Sequence, residues 1–441
     1  MSNGFSRRDV LKGATVGAIG LGLGGATTAS AAEAPQSKRS KSDRLRIGII
    51  GVGGKGWSGM QQAAEHGDIV ALCDIDAKAR AKGMEEYPRA STFDDWRIML
   101  ETLHNSMDAV VISTPDHHHA PASAMAMRYG LHCYTEKPLT RTIWEARQLQ
   151  RIARENKVAT QMGNQSTSYT PMRKAAAHVR AGTYGAVKEI HLWTDRAAGW
   201  WPQGVERPDA QLAPKHIDFK LWLGPRPLRA YSEKYLPFNW RGWWDFGTGA
   251  LGDMGCHIFN MSYMALDLRD PITVQAKTSG HNRDSFPAWS IVDYEFAANK
   301  NRGPVKLTWY DGSKRPDPAL CPGETYGGNG SIVVCEKGTI YAPNELNNEF
   351  KLIGVGPLPD IACEESPGHM AEFARAAMGG VPAVSNIPFY SGPLTETVLL
   401  GNLAIWADGP KLEWDAKNMK VKGSTEFDSL IKPAFEPGWA V

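Results

Sequence analysis

Two short segments carry residues that could move a proton. Asp253 and His257 stand four positions apart, a spacing that places both side chains on one face of a helix. A carboxylate beside an imidazole often holds a general base in one tautomer. A capped helix with a buried histidine has the same spacing, so the pair alone leaves both interpretations open. Far upstream, Lys137 either projects into a ligand crevice at the end of a strand or is a solvated surface lysine.

A glycine-rich turn near the start of the chain predicts a dinucleotide site. Residues 45–56 read LRIGIIGVGGKG, an apolar run that ends in glycines at G-x-G-x-x-G spacing. A second apolar run ends in Asp74, about 20 positions further on, where dinucleotide folds bind the adenosine ribose. Asp74 favours NAD over NADP because a carboxylate repels a 2′-phosphate. Lys78 and Arg80 lie close enough that NADP is not excluded.

The elements that must position these residues alternate between strand and helix patterns from residue 45 to about residue 159. This alternation predicts a parallel sheet with helices on both faces. Its strands are expected at 46–50, 69–73, 109–113 and 132–135. The carboxyl ends of such strands form the ligand crevice, so the loop from Thr114 to Pro121 should line the dinucleotide. Its three successive histidines point in different directions and have no acidic partner at ligand spacing, so we expect no metal site.

From residue 161 the pattern changes to segments of alternating hydrophobicity, which predict a large, mainly antiparallel open sheet. These segments lie at 188–195, 272–277, 291–296, 305–310, 331–335 and 339–342. Helices are expected at 171–181, 370–378 and 395–406. The predicted fold is therefore α/β, with an N-terminal Rossmann dinucleotide-binding domain (44–160) and an α+β domain (161–441) for substrate binding and dimerisation.

The first 43 residues predict export. Arg7-Arg8 precedes a glycine-rich apolar segment and an Ala29-Ser30-Ala31 cleavage site, which is typical of a twin-arginine signal over 1–31. Residues 32–43 predict a disordered linker. The apolar segment is too short and too mild for a stable membrane anchor. A net charge of +2 excludes the basic field that nucleic-acid binding needs, and six cysteines without a C-x-x-C pair exclude a zinc knuckle.

These motifs together resemble the glucose-fructose oxidoreductase, inositol dehydrogenase and MocA family over essentially all of the chain after the export signal. The motifs are G-V-G-G-K-G, Asp74, T-P-D-x-x-H, E-K-P and D-x-G-x-H. The resemblance implies that Lys137 and His257 handle the proton and that Asp253 orients a base or binds the sugar. It implies cofactor contacts from Gly51, Gly53, Gly54, Gly56, Asp74, Thr114, Pro115, His119, Glu136, Lys137 and Gln165. Asn260 stands where many members carry an acidic residue, and its role stays open.

Aromatic residues crowd the stretch that follows the first domain. Seven of the 15 tryptophans lie between residues 193 and 244. They could offer flat apolar faces to sugar rings or fill a core or interface, and the sequence does not separate these uses. The substrate candidates in this stretch are Arg196, Trp200, Trp201, Asn239, Trp240 and Arg241.

The family resemblance implies an NAD(P)-dependent oxidoreductase that acts on a hydroxyl of a small-molecule sugar or glycoside. Because an exported, periplasmic enzyme has no free NAD pool, we expect a tightly bound cofactor that is reduced and reoxidised within one cycle. Two alternatives stay open: a redox-neutral NAD-dependent glycoside hydrolase or lyase that passes through a keto-sugar, and a non-catalytic sugar- or NAD-binding protein. The E-K-P motif argues against the family's N-acetylgalactosaminidase branch. A homo-oligomer through the C-terminal sheet is expected.

Overall fold

The computed structural model describes residues 44–197, 199–356 and 358–441, and Arg44–Val441 form one compact unit. The predicted export signal at 1–31 and the predicted linker at 32–43 lie outside the described residues. Within the described ranges, no helix is long and apolar enough to cross a membrane.

Six parallel strands form the first sheet. They are β1 (Leu45–Ile50), β2 (Gly67–Cys73), β3 (Ser91–Phe93), β4 (Ala109–Ile112), β5 (His132–Glu136) and β6 (Thr160–Gly163). Their spatial order, β3-β2-β1-β4-β5-β6, reverses direction between β1 and β4, where doubly wound sheets open a ligand crevice. The predicted parallel sheet is confirmed. Because β6 belongs to it, the first sheet extends slightly past the predicted domain boundary at residue 160.

Helices connect these strands and cover both faces of the sheet. They are α1 (Lys55–His66), α2 (Ala77–Glu86), α3 (Trp96–Leu103), α4 (Asp116–Arg128) and α5 (Ile143–Asn156). Helix α5 begins with a reciprocal cap, in which the Thr142 hydroxyl accepts from the Glu145 amide and the Glu145 carboxylate accepts from the Thr142 amide. This cap fixes the start of α5 a few residues after Lys137, which stabilises the loop that carries the lysine.

The second sheet has nine strands in the described part of the chain. They are β7 (Val187–Thr194), β8 (Thr273–Thr278), β9 (Ser290–Phe296), β10 (Val305–Tyr310), β11 (Asn329–Cys335), β12 (Gly338–Ala342), β13 (Lys351–Ile353), β14 (Leu412–Asp415) and β15 (Lys420–Val421). Their order is β13-β12-β11-β7-β10-β9-β8-β14-β15. Strands β7 and β10 pair in parallel and the other described pairs are antiparallel, so the predicted mainly antiparallel sheet is confirmed.

Further helices join the second sheet to the first. They are α6 (Thr170–Arg180), α7 (Phe219–Leu223), α8 (Gly249–Ile258), α9 (Asn260–Leu266), α10 (His369–Ala377), α11 (Gly392–Ala407) and α12 (Asp428–Ile431). Helix α8 is buried along its whole length, and α11 packs against both α8 and α5. Met370 and Phe373 of α10 belong to the same apolar cluster as Ile47 of β1. These contacts fix α8 relative to the carboxyl edge of the first sheet.

Candidate active site

The glycine turn after β1 is tight on one side and open on the other. A Cβ on Gly51 would lie 2.5 Å from the Ser113 carbonyl oxygen, and one on Gly56 would lie 2.0 Å from the Gly51 carbonyl oxygen. A Cβ on Gly53 would meet nothing nearer than 3.9 Å, and one on Gly54 nothing within 4 Å. The first and third glycines of the motif therefore allow close packing, whereas the middle of the turn leaves its backbone accessible. This combination is what a dinucleotide-binding turn requires.

Polar groups surround the open side of this turn. One oxygen of Asp74 accepts the amide hydrogens of Val52 at 2.8 Å and Gly53 at 3.2 Å. Burial raises the pKa of the Asp74 carboxyl, although these amides partly oppose the change. The hydroxyls of Ser113 and Thr114 are buried and meet no hydrogen-bond partner among the described residues. Pro115 follows them and precedes α4. The open turn, the carboxylate and the two unpartnered hydroxyls fit a dinucleotide such as NAD.

The side chains of the three histidines that follow Pro115 contact backbone carbonyl groups. His117 and His118 each place Nε2 2.7 Å from the Trp222 carbonyl oxygen, and His119 lies 2.7 Å from the Pro138 carbonyl and 2.8 Å from the Thr114 carbonyl. Burial lowers the pKa of all three, and that of His118 falls to about 4.

The loop predicted to line the dinucleotide is helical from Asp116 onward. Among 114–121, the Thr114 hydroxyl is a buried side-chain group without a hydrogen-bond partner in the described structure, so it is available to a ligand. The His119 ring lies between the Pro138 and Thr114 carbonyls, and the single N–H of the neutral imidazole donates to one of them. Among the residues that the structure describes, no group of three or more His, Cys, Asp or Glu side chains could hold a metal ion.

Glu136 is the last residue of β5, and its side chain packs closely against Gly163. A Cβ on Gly163 would lie 2.5 to 2.6 Å from the Glu136 carboxyl atoms, so only glycine leaves room for this side chain. Gln165 donates to the Glu136 carboxylate at 3.1 Å, and the Lys55 ammonium lies 3.7 Å from the same oxygen. Burial raises the pKa of Glu136. The predicted cofactor residues Glu136 and Gln165 are thus in contact, and Lys55 at the start of α1 joins them.

Lys137 and Asp253 form the centre of the site. The Lys137 ammonium donates to Asp253 Oδ1 at 2.6 Å and to the Asp253 carbonyl at 3.0 Å. Arg196 donates to the other carboxylate oxygen at 3.1 Å, and Arg241 Nε lies 3.2 Å from Oδ1. Burial opposes the charge of Asp253, but the three cations outweigh burial and hold the pKa of that carboxyl well below its usual range. Asp253 is therefore a carboxylate that three cations share.

His257 lies one helical turn after Asp253 on α8, as predicted, but the two side chains share no hydrogen bond. Nδ1 of His257 is buried without a partner among the described residues, while its backbone carbonyl accepts from Asn347 at 3.2 Å. Burial, and then the charge of Lys137, lower the pKa of His257 well below its usual range. The expectation that Asp253 orients an imidazole is corrected, because Asp253 bonds to Lys137 instead.

The tryptophan-rich stretch divides between the site and the core. Trp200 is 47% exposed and stacks on the Arg196 guanidinium, 4.2 Å from the ring centroid. Trp201 and Trp240 are buried and donate to local acceptors at 2.6 and 3.0 Å. Asn239 is half-buried just before Trp240. Of the predicted substrate residues, Arg196 and Arg241 contact Asp253, and Trp200 is joined to them through Arg196.

Two polar residues have structural partners that the sequence did not indicate. Asn260 is fully buried, donates to the hydroxyls of Ser166 at 3.0 Å and Thr167 at 2.8 Å, and accepts from Tyr390. It therefore joins α9 to the segment after β6. This gives a structural role to Asn260, the residue that stands where many family members carry an acidic one.

Asp116 was missed, although it stands inside the T-P-D-x-x-H motif. Its carboxylate binds Arg241.

Comparison with known proteins identifies the family of the chain. A family model described as "Oxidoreductase family, NAD-binding Rossmann fold" matches residues 45–164, and one described as "Oxidoreductase family, C-terminal alpha/beta domain" matches 171–301. Together they cover more than half of the 441 residues. The chain belongs to the Gfo/Idh/MocA oxidoreductase family. The resemblance read from the motifs is confirmed, and so is NAD as the cofactor type of the first domain.

Known relatives of this Gfo/Idh/MocA protein include a glycosyl hydrolase family 109 protein from Solibacter usitatus, 33% identical over 192 residues. That match covers 41% of this chain and 43% of the relative, so it spans less than half of either protein. This match to a protein named a glycosyl hydrolase does not favour the expectation that the E-K-P motif sets the chain apart from a glycosidase branch of the family.

Solved structures share the fold at low sequence identity. The WlbA dehydrogenase from Bordetella pertussis, in complex with NADH and UDP-GlcNAcA, is 15% identical with a TM-score of 0.61, over 84% of this chain and 99% of that one. The aldose-aldose oxidoreductase from Caulobacter crescentus, complexed with glycerol, is 16% identical with a TM-score of 0.58, over 84% and 100%. At these identities the likeness establishes the Gfo/Idh/MocA fold alone.

Proposed function

We propose that this protein is an NAD-dependent oxidoreductase that acts on a hydroxyl group of a sugar or glycoside. One observation carries the proposal: Lys137, Asp253 and a neutral His257 are neighbours in one site. Lys137 directly follows β5, which belongs to the same sheet as the strand that leads into the dinucleotide turn. NAD, when bound, accepts a hydride from the carbon that bears the hydroxyl. What the chain itself must supply is orientation of that hydroxyl and a place for its proton.

His257 is the residue that takes the proton. Its lowered pKa keeps the imidazole neutral around neutral pH, so it has a nitrogen lone pair to accept a proton from the substrate hydroxyl. Burial of 92% of the residue limits competition from bulk water, since only 8% of its surface is exposed. The proton leaves the substrate oxygen and forms the N–H bond on the imidazole while the hydride leaves the carbon.

Lys137 stabilises the oxygen from which the proton leaves. An ammonium group has three N–H donors, and Lys137 gives two of them to the carbonyl and carboxylate of Asp253. The third donor is free for the substrate oxygen, where negative charge develops as the proton departs. Asp253 is thus the residue that orients Lys137. Trp200, exposed on the Arg196 guanidinium, provides a flat face against which a sugar ring can pack.

A redox-neutral reaction is the second candidate. The similarity to a protein named as a glycosyl hydrolase favours it. Oxidation of a sugar hydroxyl to a ketone acidifies the neighbouring C–H. Transfer of that proton to a base expels the glycosidic substituent and leaves a C=C bond. In a hydrolase, water then adds across this bond, and return of the hydride to the ketone leaves no net oxidation. Both candidates need the same proton-handling residues and would use a tightly bound dinucleotide. Net oxidation of one sugar then also requires a second sugar that takes the hydride.

Export and self-association complete the proposal. The twin-arginine pattern in residues 1–31 supports export across the cytoplasmic membrane, where a resident cofactor would serve better than a shuttling one.

On β9 and β10 of the second sheet, side chains on one face are buried and those on the other, such as Asp293 and Thr308, are partly or fully exposed. We propose that this open face joins copies of the chain in a homo-oligomer, which sedimentation of the purified protein would test.

The test of the proposed function uses the protein as purified. The protein is denatured, and the dinucleotide released into the supernatant is quantified; we expect close to one per chain, and a protein free of dinucleotide would refute a resident cofactor. Glycosides are then incubated with the native protein, and the products are analysed. A keto-sugar supports net oxidation, whereas a cleaved glycoside without net oxidation supports the second candidate. A full set of unreacted substrates with dinucleotide bound would favour a non-catalytic binding protein.

A further inference from the structure

A buried carboxylate, that of Asp116, is linked to the active site through Arg241. Asp116, at the first turn of α4, has no exposed surface. Both of its oxygens contact the Arg241 Nη1 atom, and one also accepts from the Thr248 hydroxyl at 2.7 Å. Neither oxygen faces solvent, so this charge is balanced entirely by groups of the chain.

Arg241 connects this carboxylate to the centre of the site. Its Nη1 binds Asp116, while its Nε lies 3.2 Å from Asp253 Oδ1, the same oxygen that accepts from Lys137. The guanidinium also stacks against Trp240, 4.3 Å from the ring centroid, which restricts its rotation. The planar fork of arginine can bridge two carboxylates in a fixed geometry, which the single ammonium of a lysine cannot do.

The four residues form a chain of alternating charge that begins and ends in the first domain. Asp116 lies on α4, Arg241 in the short helical turn Asn239–Gly242, Asp253 on α8, and Lys137 directly after β5. The first and second members, Asp116 and Arg241, balance each other. Because Asp116 offsets part of the Arg241 charge, Asp253 keeps more of its negative charge for Lys137 and Arg196, the two more exposed of its three cations.

We propose that Asp116 and Arg241 are positioning residues that hold Asp253 in the orientation that binds Lys137 and determine how much of its charge the lysine experiences. Without Asp116, the whole charge of Arg241 would act on Asp253 and compete with the lysine. Without Arg241, Asp253 would lose one of its cations and bind the lysine more strongly. Neither residue needs to touch a substrate for this effect.

Other ionisable groups also act on the lysine and set the background for the test. Glu136 precedes it, with Lys55 beyond that carboxylate. His257 and Cys256 on α8 both respond to its charge, and burial raises the pKa of the Cys256 thiol to about 12. None of these groups contacts Asp116 in the described structure, so they stay in place when Asp116 is changed.

The test observes Lys137 directly. Lysine labelled with carbon-13 at Cε is incorporated, the Lys137 signal is assigned by its absence in the Lys137→Met variant, and its chemical shift is followed against pH. In Asp116→Asn, which keeps the shape of the side chain, we expect the pH midpoint of this signal to fall by roughly one unit. In Arg241→Met it should rise, and in the double variant Asp116→Asn/Arg241→Met it should return towards the wild-type value.

A matched control separates positioning from general destabilisation. Glu372 is as deeply buried as Asp116 and pairs with the buried Arg173 at 2.6 Å, with no contact to the four residues. Glu372→Gln should lower the urea midpoint of unfolding without moving the Lys137 signal. A folded Asp116→Asn protein with an unmoved Lys137 signal would overturn the proposal. If Arg241→Met does not fold because it leaves Asp116 buried without its cation, Asp116→Asn and the double variant still decide the question.

The kinetic consequence rests on the proposed function, whereas the spectroscopic one does not. Once a substrate is known, Asp116→Asn should lower kcat roughly tenfold and leave KM within about twofold, because the transition state uses the lysine more than the ground state does. A shifted Lys137 signal with no activity towards any sugar would support the positioning role and reject the proposed reaction. An increase in KM alone, with kcat unchanged, would count against positioning.

Discussion

Replacing Gly53 by alanine should weaken dinucleotide binding and leave the fold intact. The added methyl group would lie 3.9 Å from Asp74 Oδ2 and 4.0 Å from the Ala79 Cβ atom, both at ordinary contact distance. Gly53 is not among the residues with positive φ, so its backbone conformation is available to alanine. The methyl group therefore occupies only the space in which the dinucleotide must approach the turn.

Because the added methyl group makes only ordinary contacts with the protein but blocks the ligand, folding stability and dinucleotide affinity should change by different amounts. We expect the free energy of unfolding without cofactor to change by no more than about 0.5 kcal/mol. Dinucleotide affinity should fall at least tenfold, or about 1.4 kcal/mol, because the pyrophosphate can no longer reach the backbone amides. Gly56→Ala should instead damage folding as well, since its Cβ would overlap the Gly51 carbonyl oxygen at 2.0 Å.

The assay combines two measurements on each variant. Dinucleotide released by denaturation is quantified per chain, and urea unfolding is followed on protein stripped of cofactor. Gly303→Ala is the matched control, because an added Cβ on that exposed glycine meets no atom within 4 Å and the residue lies outside the site. If Gly53→Ala retains as much dinucleotide as Gly303→Ala, the assignment of this turn to the cofactor is refuted.

Three further outcomes are expected. Gly163→Ala should displace Glu136, whose carboxyl atoms lie 2.5 to 2.6 Å from the added Cβ, and reduce retained dinucleotide while urea unfolding reports the accompanying strain. Asn260→Ala should lower the unfolding free energy by about 1 to 3 kcal/mol without loss of dinucleotide, because only structural hydrogen bonds are removed; a large loss of dinucleotide would contradict this role. The wild-type protein should lose stability as pH falls below about 6.5, since the pKa values of buried His118 and His369 are lowered to about 4. Because the unfolded state then binds more protons than the folded state, the free energy of unfolding should fall by about 2 kcal/mol per histidine near pH 5. Urea titrations in which the free energy of unfolding increases as the pH is lowered to 5 would contradict this reasoning.

The sequence predicted the first sheet well because its central strands are buried on both faces. Strands β1 and β4 are short, nearly continuous apolar runs, and β5 (HCYTE) is mostly buried. The predicted limits of all three differ from the structure by one residue at most. Strands β3 and β6 escaped notice because they lie at the two edges of the sheet and have too few apolar residues to form a pattern. Edge strands of this length have no periodicity that a sequence argument can use.

The candidate site was predicted in its members but not in its pairing. The i, i+4 spacing indicated that Asp253 serves His257, yet the carboxylate bonds to Lys137, 116 positions away in sequence. Such a contact depends on how α8 packs against the carboxyl edge of the first sheet, which local spacing does not encode. Asp116 was overlooked for the same reason. Its place at the start of a helix is a sufficient explanation for a carboxylate until Arg241 is seen to reach it.

The tryptophan stretch shows a different limit of sequence reasoning. Its residues are alike in type and close in sequence, but Trp200 is 47% exposed and Trp201 is 5% exposed. Adjacent side chains in irregular backbone point in unrelated directions, so composition indicated an aromatic region without indicating which ring a ligand could reach. Trp200 is the exposed ring of this pair, and it stacks on Arg196, which contacts Asp253.

The proposed hydride transfer is tested most directly by the absorbance of bound nicotinamide when glycosides are mixed with the purified protein. Wild-type protein should show the reduced-nicotinamide band rise in a single turnover with at least one substrate, and then decline where the hydride is returned. Lys137→Met and His257→Ala should retain the dinucleotide but show no rise. A rise of equal rate and size in both variants would contradict the roles assigned to these residues.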